Sequence, residues 1–394
     1  MEEGKIQEDL YNNRGDEALH EMKRLLHPIG TIYEHFRVGR ETRNPNKCTR
    51  LAWFGFKVFF CLFGLWGHQA WNYILRVVFI VTCLYQAVFV SISKNFPLCA
   101  VNKTEQTVPQ DADSEASLIF TCVTCAAAVI SYVVFVGSFI AAKRKDSALV
   151  SPSQSMVDVY ITDVYLLFIV AFFMCTVSIS VMLYSPLILI NTSFMASGVV
   201  TIILAHLASV STCLIFAINC LALGTFTQDT FRLIQNIQNG PLDDIIRIHE
   251  DLCKVVFNTV SAYSVWFVLH WFTYGASVLF GAICISEQAS AGCLTYHAAR
   301  NIGLIYLFLL PCIYAAKITS HCAEICEKIN CTTSADWNEG HPFRDRRNIS
   351  MFISYAKDRR CGFKVGKITF ITSLAWFSFF FGLIALMFHF FQSP

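Results

Sequence analysis

Catalytic chemistry has little to work with inside the long apolar runs of this sequence. His206 and His270 lie well inside them, and no paired carboxylates accompany either. General acid–base catalysis needs such groups within hydrogen-bond reach of each other and of a substrate, so a membrane enzyme is not expected. Binding chemistry is better represented. Phe267, His270, Trp271 and Tyr274 follow the spacing i, i+3, i+4, i+7, which on a helix makes one aromatic face with polar tips. That face either packs against neighbouring helices or forms a wall of a binding site. For His206 the plainer reading is a satisfied packing histidine. His321, Cys322, Cys326 and Cys331 show a loose zinc-like spacing, for which reduced cysteines on a helix face are the simpler account. Cys99 and Cys293 fall one in each of two polar loops. They are candidates for a disulfide if those loops face an oxidising exterior, with Cys284 competing. Asn102-Lys103-Thr104 is a glycosylation triplet on the same condition.

The elements that must carry these residues are membrane spans. Of the 394 residues, 55% are hydrophobic and 15% charged, where a soluble chain carries about 25% charge. Residues 368–391 hold no Asp, Glu, Lys or Arg, and a bilayer core takes roughly 20 helical residues. The remaining spans are expected at residues 71–92, 118–142, 164–190, 194–226, 255–285 and 302–318. Residues 51–66 form a shorter apolar run containing Lys57, expected to lie at the membrane surface. Arg76 sits near the inner end of the first span and is expected to snorkel. Asn239-Gly240-Pro241 makes a turn, after which 242–254 runs without a breaker into the fifth span. Spans four and five are therefore expected to project beyond the membrane. The organisation expected is an N-terminal cytoplasmic segment, 1–70; spans one to four, 71–226; inner anchor helices, 227–254; spans five and six, 255–324; an inner anchor, 325–367; and the seventh span, 368–394. No signal peptide is expected in the polar first 50 residues.

Charge sets the orientation. Of 30 Lys and Arg, 26 fall on the segments expected inside and only Lys94, Lys103 and Arg300 outside, with Arg76 in the first span. The positive-inside rule then predicts seven spans with the N-terminus cytoplasmic and the C-terminus outside. Asn330-Cys331-Thr332 and Asn348-Ile349-Ser350 are glycosylation triplets on the inner side and are discounted. The orientation opposes a G-protein-coupled receptor, whose N-terminus is outside; Asp358-Arg359 precedes the seventh span here, and that span has no Pro. A transporter is disfavoured by the lack of repeats and intramembrane charges.

Several stretches resemble the insect chemoreceptor superfamily, in particular its gustatory receptor-like members. The run from Ile248 to Asn258 is similar to that family's helix entering span five. Ile349 to Tyr355, followed by Cys361-Gly362-Phe363-Lys364-Val365, is similar to its amphipathic helix and Gly-Phe approach to span seven. Its span-seven signature, Thr-Tyr, five hydrophobic residues, then Gln-Phe, registers Phe379-Phe380 and Leu386-Met387 at the signature positions. Thr369-Phe370 with Trp376-Phe377 is a second register, closer to the inner side. The polar signature residues are absent in either.

The resemblance implies an all-α fold and a homotetramer around a central pore lined by span seven, acting in the plasma membrane as a ligand-gated cation channel. Membrane lipids, other copies of the chain and a small-molecule ligand are the implied partners, with no cofactor and no nucleic acid. The implied ligand pocket lies in the outer half of spans two to six. Phe267, His270, Trp271 and Tyr274 then become its wall, with Tyr184 and Tyr306 at comparable depth. In span seven, Leu383, Leu386, Met387 and Phe390 again follow i, i+3, i+4, i+7. They could face a four-fold axis as an apolar gate that closes by dewetting; the alternative is packing against spans five and six. An absent acidic ring argues for a non-selective pore. Two other readings of the same topology are a seven-span sensory receptor, chemical or light-driven, without its own pore, and a non-signalling lipid-binding protein.

Overall fold

The computed structural model describes Phe54, Val58, Ile169, Phe173 and residues 60–65, 70–92, 111–144, 193–236, 242–286, 291–330, 346–359, 361–365 and 368–369. These form a nearly all-helical bundle: α1 (Ala70–Ile92), α2 (Asp111–Arg144), α3 (Ser193–Asn236), α4 (Leu242–Ser286), α5 (Ala291–Asn330) and α6 (Arg346–Asp358). Two short antiparallel strands follow, β1 (Lys364–Val365) and β2 (Ile368–Thr369), with Lys364 opposite Thr369 and Val365 opposite Ile368. The strand at Ile368–Thr369 occupies the first two residues of the expected seventh span. Residues 370–391 and nearly all of 164–190 lie outside the described residues.

Among the described residues, four helices are long and apolar enough to cross a membrane: Cys122–Ile140, Leu204–Gln228, Ile245–Ile285 and Arg300–Glu327. The chain is a helical membrane protein. α3, α4 and α5 have 44, 45 and 40 residues. At about 1.5 Å per residue they run roughly 60–68 Å, about twice the bilayer's hydrocarbon core. α2 packs mainly on α4, and α3 and α4 both pack on α5. α3 is apolar all round and correspondingly enclosed: residues 208–220 are all buried. α4 is two-sided. Trp266, Phe267 and Tyr274 turn inward, while Phe257 (70% exposed), Val265 (61%) and Phe272 (62%) form an outward strip at helical spacing.

The described end of the 51–66 run, residues 60–65, docks on the bundle. Its described helical residues end at Gly64, whose φ of 66° places it in the left-handed region. Leu65 N–H bonds the Phe60 carbonyl and Gly64 N–H the Cys61 carbonyl, both at 2.9 Å. This paired pattern terminates helices at glycine. Phe60, Phe63 and Leu65 are buried, and Tyr132 donates to the Phe63 carbonyl at 2.7 Å. Arg76 does not snorkel. Only 5% exposed, it donates from Nε to the Gly64 carbonyl at 2.6 Å, with its guanidinium 5.1 Å from the Tyr73 ring and 5.7 Å from Phe139. A fixed acceptor, the buried Phe139 ring and the exposed Tyr73 ring replace the water it would otherwise reach for.

Candidate functional site

The aromatic face of α4 is built around a hole in the hydrogen bonding of α5. Pro311 lies inside α5 and has no N–H to give to the carbonyl four residues back, at Leu307. His270 Nε2 donates to that carbonyl at 3.0 Å. A carbonyl can only accept, so Nε2 carries the proton, and in the neutral ring Nδ1 is an acceptor. Ser131 on α2 donates to it at 2.7 Å, and Trp266 Nε1–H donates to Ser131 Oγ at 3.2 Å. The chain Trp266–Ser131–His270–Leu307 thus joins α2, α4 and α5 with every donor matched to an acceptor. Cys213 of α3 stands beside it, its Sγ 3.6 Å from His270 Nε2. Rings seal it on both sides: Tyr274 stacks on His270 at 4.4 Å and Trp266 lies 4.9 Å away.

The described members of the expected ligand wall divide accordingly. Phe267, His270 and Tyr274 are buried, and His270 has both ring nitrogens engaged by protein. Phe267 lies 4.8 Å from Phe363 and belongs to the inner core. Trp271 and Tyr306 are half-buried, and Trp271 stacks on Phe308 at 6.1 Å. Tyr184 lies outside the described residues, as do Cys99, Asn102 and Leu383, Leu386, Met387 and Phe390. Cys293 falls in the first turn of α5, and Cys284 is buried on α4. His206 is half-buried on α3.

Near the start of α5, the bundle holds a polar cluster that sequence reasoning missed. Arg300 was expected in a loop, but α5 begins at Ala291, and Arg300 is buried with its guanidinium 4.5 Å from the Phe120 ring. Next to it, Asn301 is 1% exposed, and neither its Nδ2 nor its Oδ1 has a hydrogen-bond partner. Gly281 of α4 makes room for it: a Cβ there would stand 2.6 Å from Asn301 Oδ1 and 3.1 Å from the Phe120 ring. A buried amide offering an unused donor and an unused acceptor is a place for a small polar group.

At the end of the bundle opposite Arg300 and Asn301, α6 lays Phe352 and Ala356 against α4 and α5. His249 meets the rings of Phe352 and Tyr355 edge-on at 5.5 and 5.7 Å. The chain then turns at Gly362 (φ 146°) and inserts Phe363 between Phe216 and Phe267. Cys361 Sγ stands 3.1 Å from Cys322 Sγ, with Cys253 also within hydrogen-bonding reach. Contact with Cys253 pulls the Cys361 thiol down; contact with Cys322 and burial outweigh it and leave Cys361 above the usual thiol range. Burial likewise raises the Tyr355 phenol. Of the zinc-like quartet, His321 abuts Gly224 and Glu324 while Cys322 turns to Cys361. Among the described residues, no three His, Cys, Asp or Glu are placed to share a metal ion.

No protein-family model and no curated protein matches the sequence. Solved structures do. The olfactory receptor OR5 of the insect Machilis hrabei in complex with eugenol is 12% identical, with a TM-score of 0.64, over 87% of this chain and 98% of that one. A second structure of the same receptor gives 0.63 at 12% identity, over 88% of this chain and 98% of that one. The chain has the fold of an insect olfactory receptor.

Proposed function

We propose that the chain is a gustatory receptor-like member of the insect chemoreceptor superfamily: a ligand-gated, non-selective cation channel in the plasma membrane. Four copies would surround a pore lined by the seventh span, with the N-terminus cytoplasmic and the C-terminus outside. A small-molecule pocket in the outer half of each subunit would be bounded by Tyr184, Trp271 and Tyr306, with Phe267, His270 and Tyr274 shaping the wall behind them. Asn301 would supply the polar contact. Leu383, Leu386, Met387 and Phe390 would form the gate, Asn102 would be glycosylated, and a Cys99–Cys293 disulfide would tie the outer loops. The observation that carries this reading is the shared fold, which spans 98% of a receptor solved with a small phenolic compound bound. The charge bias and the buried Asn301 amide, which has no hydrogen-bond partner within the protein, agree with it.

The test needs no knowledge of the stimulus. Purified Leu386→Ser protein, reconstituted in planar bilayers, should pass a higher basal cation current than wild type, because a hydroxyl ring wets the throat. Tetramers of this variant with the same basal current as wild type would show that this face is not the gate, and a protein that passes no current in liposomes under any condition would refute the channel reading.

A further inference from the structure

The segment leading out of α6 is fastened to α5 at one level. Phe363 N–H bonds Thr319 Oγ1 at 3.0 Å, and Gly362 packs so closely on Thr319 that a Cβ would stand 3.0 Å from its methyl group. One turn further along α5, Cys322 Sγ faces Cys361 Sγ at 3.1 Å. We propose that Cys322 and Cys361 are an oxidative modification site, closing to a reversible disulfide when a hydroperoxide reaches this face of the protein. A disulfide needs about 2.05 Å between sulfurs, so closure takes roughly 1 Å of movement, within the reach of a side-chain rotation on the non-helical Cys361 side.

The two thiols differ in access. Cys322 is 4% exposed, whereas Cys361 lines an open cleft of about 750 Å³ shared with Cys253, Lys254, Tyr355 and Arg359. A peroxide entering the cleft meets Cys361. Its sulfur attacks the O–O bond and keeps one oxygen as a sulfenic acid; the other leaves as hydroxide and takes the thiol proton as water. Cys322 Sγ then attacks that sulfur. The S–S bond forms, the S–O bond breaks, and the departing hydroxyl leaves as water with the Cys322 proton. Two thiols and one hydrogen peroxide give one disulfide and two waters. A small thiol such as glutathione reverses it by exchange. The raised titration of Cys361 keeps most of it as thiol at neutral pH, so the rate climbs with pH, by about tenfold per unit while the thiolate remains the minor form. The bridge would staple α5 to the strands β1 and β2 whether or not the chain conducts ions.

The experiment uses the full-length protein in lipid nanodiscs, exposed to hydrogen peroxide at pH 7 and pH 8. Remaining thiols are alkylated at acidic pH, and unreduced peptides are mapped with fragmentation. The expected result is a peptide bridged between Cys322 and Cys361, formed faster at the higher pH and lost on adding dithiothreitol. It should persist in Cys253→Ser and disappear in Cys361→Ser. A bridge from Cys361 to Cys253 or Cys326 would overturn the proposal. So would alkylatable thiols at both positions, or conversion to sulfonic acid without a bridge. If Cys361→Ser does not fold, the wild-type map and the Cys253→Ser variant decide.

Discussion

Replacing Ser131 with Ala tests the hydrogen-bonded chain between α2, α4 and α5. The hydroxyl accepts from Trp266 Nε1 at 3.2 Å and donates to His270 Nδ1 at 2.7 Å. Its loss leaves one donor and one acceptor buried and unmatched. In water-soluble cores each orphan costs about 1–3 kcal/mol, but between membrane helices a hydrogen bond contributes nearer 0.6 kcal/mol, and at most about 1.7. The membrane figures are the appropriate ones, which places Ser131→Ala at about 1–3 kcal/mol. Ser211→Ala is the matched control. Its hydroxyl bonds only the Ala208 carbonyl of its own helix at 2.7 Å, so its removal strands nothing on a neighbour. Reversible unfolding in mixed micelles would measure both, together with His270→Phe and the His270→Phe/Ser131→Ala double variant. With His270 already gone, removing Ser131 should cost about half as much, because only the Trp266 donor is left behind. Equal losses for Ser131→Ala and Ser211→Ala, within about 0.5 kcal/mol, would refute the account.

Gly281→Ala should destabilise the outer bundle by about 1–3 kcal/mol through its clash with Asn301 and Phe120, and Asn301→Ala should restore much of the loss in the same assay. Gly137→Ala, where nothing lies within 4 Å, should be neutral or should stabilise by up to about 1 kcal/mol from helix propensity. An epitope at the C-terminus should label on intact cells while one at the N-terminus should not; labelling at both ends would remove the odd number of spans. Replacing Phe377, expected deeper in the seventh span than the gate residues, with Ser should lower tetramer yield rather than raise basal current, as read by size-exclusion chromatography beside bilayer recording.

Helicity and membrane character were legible because composition decides them: a run such as 255–285 carries no Asp, Glu, Lys or Arg. The length of α4 was legible too, since no Pro or Gly interrupts 242–274. The positions of individual charges were not. Arg300 reads as a loop residue because Ser, Glu and Gln precede it, and the Phe120 ring that holds it belongs to a helix about 180 residues earlier. Arg76 misled for the same reason, its acceptor being a carbonyl created by the turn at Gly64. Pro311 does announce in sequence that the Leu307 carbonyl lacks its usual donor, yet nothing local says that His270 supplies one. The aromatic face of α4 was read as one surface, but the helix divides it between inner core and outer bundle.

The bond between Arg76 and Gly64 also bears on how the chain enters the bilayer. A guanidinium inserted alone at the centre of a span costs about 2.5–3.5 kcal/mol on insertion scales, an upper bound for Arg76, which stands in the second turn of the 23-residue α1. The acceptor lies 12 residues before the arginine, so it leaves the ribosome first, by about one second at roughly 5–20 residues per second. By the time Arg76 reaches the translocon its carbonyl partner is already outside the exit tunnel, and the pair can be handed to the membrane together. The order of the two residues along the chain thus lets the acceptor made by a helix-ending glycine precede the charge it receives into α1, and moving Gly64 to the far side of α1 would reverse that order of arrival.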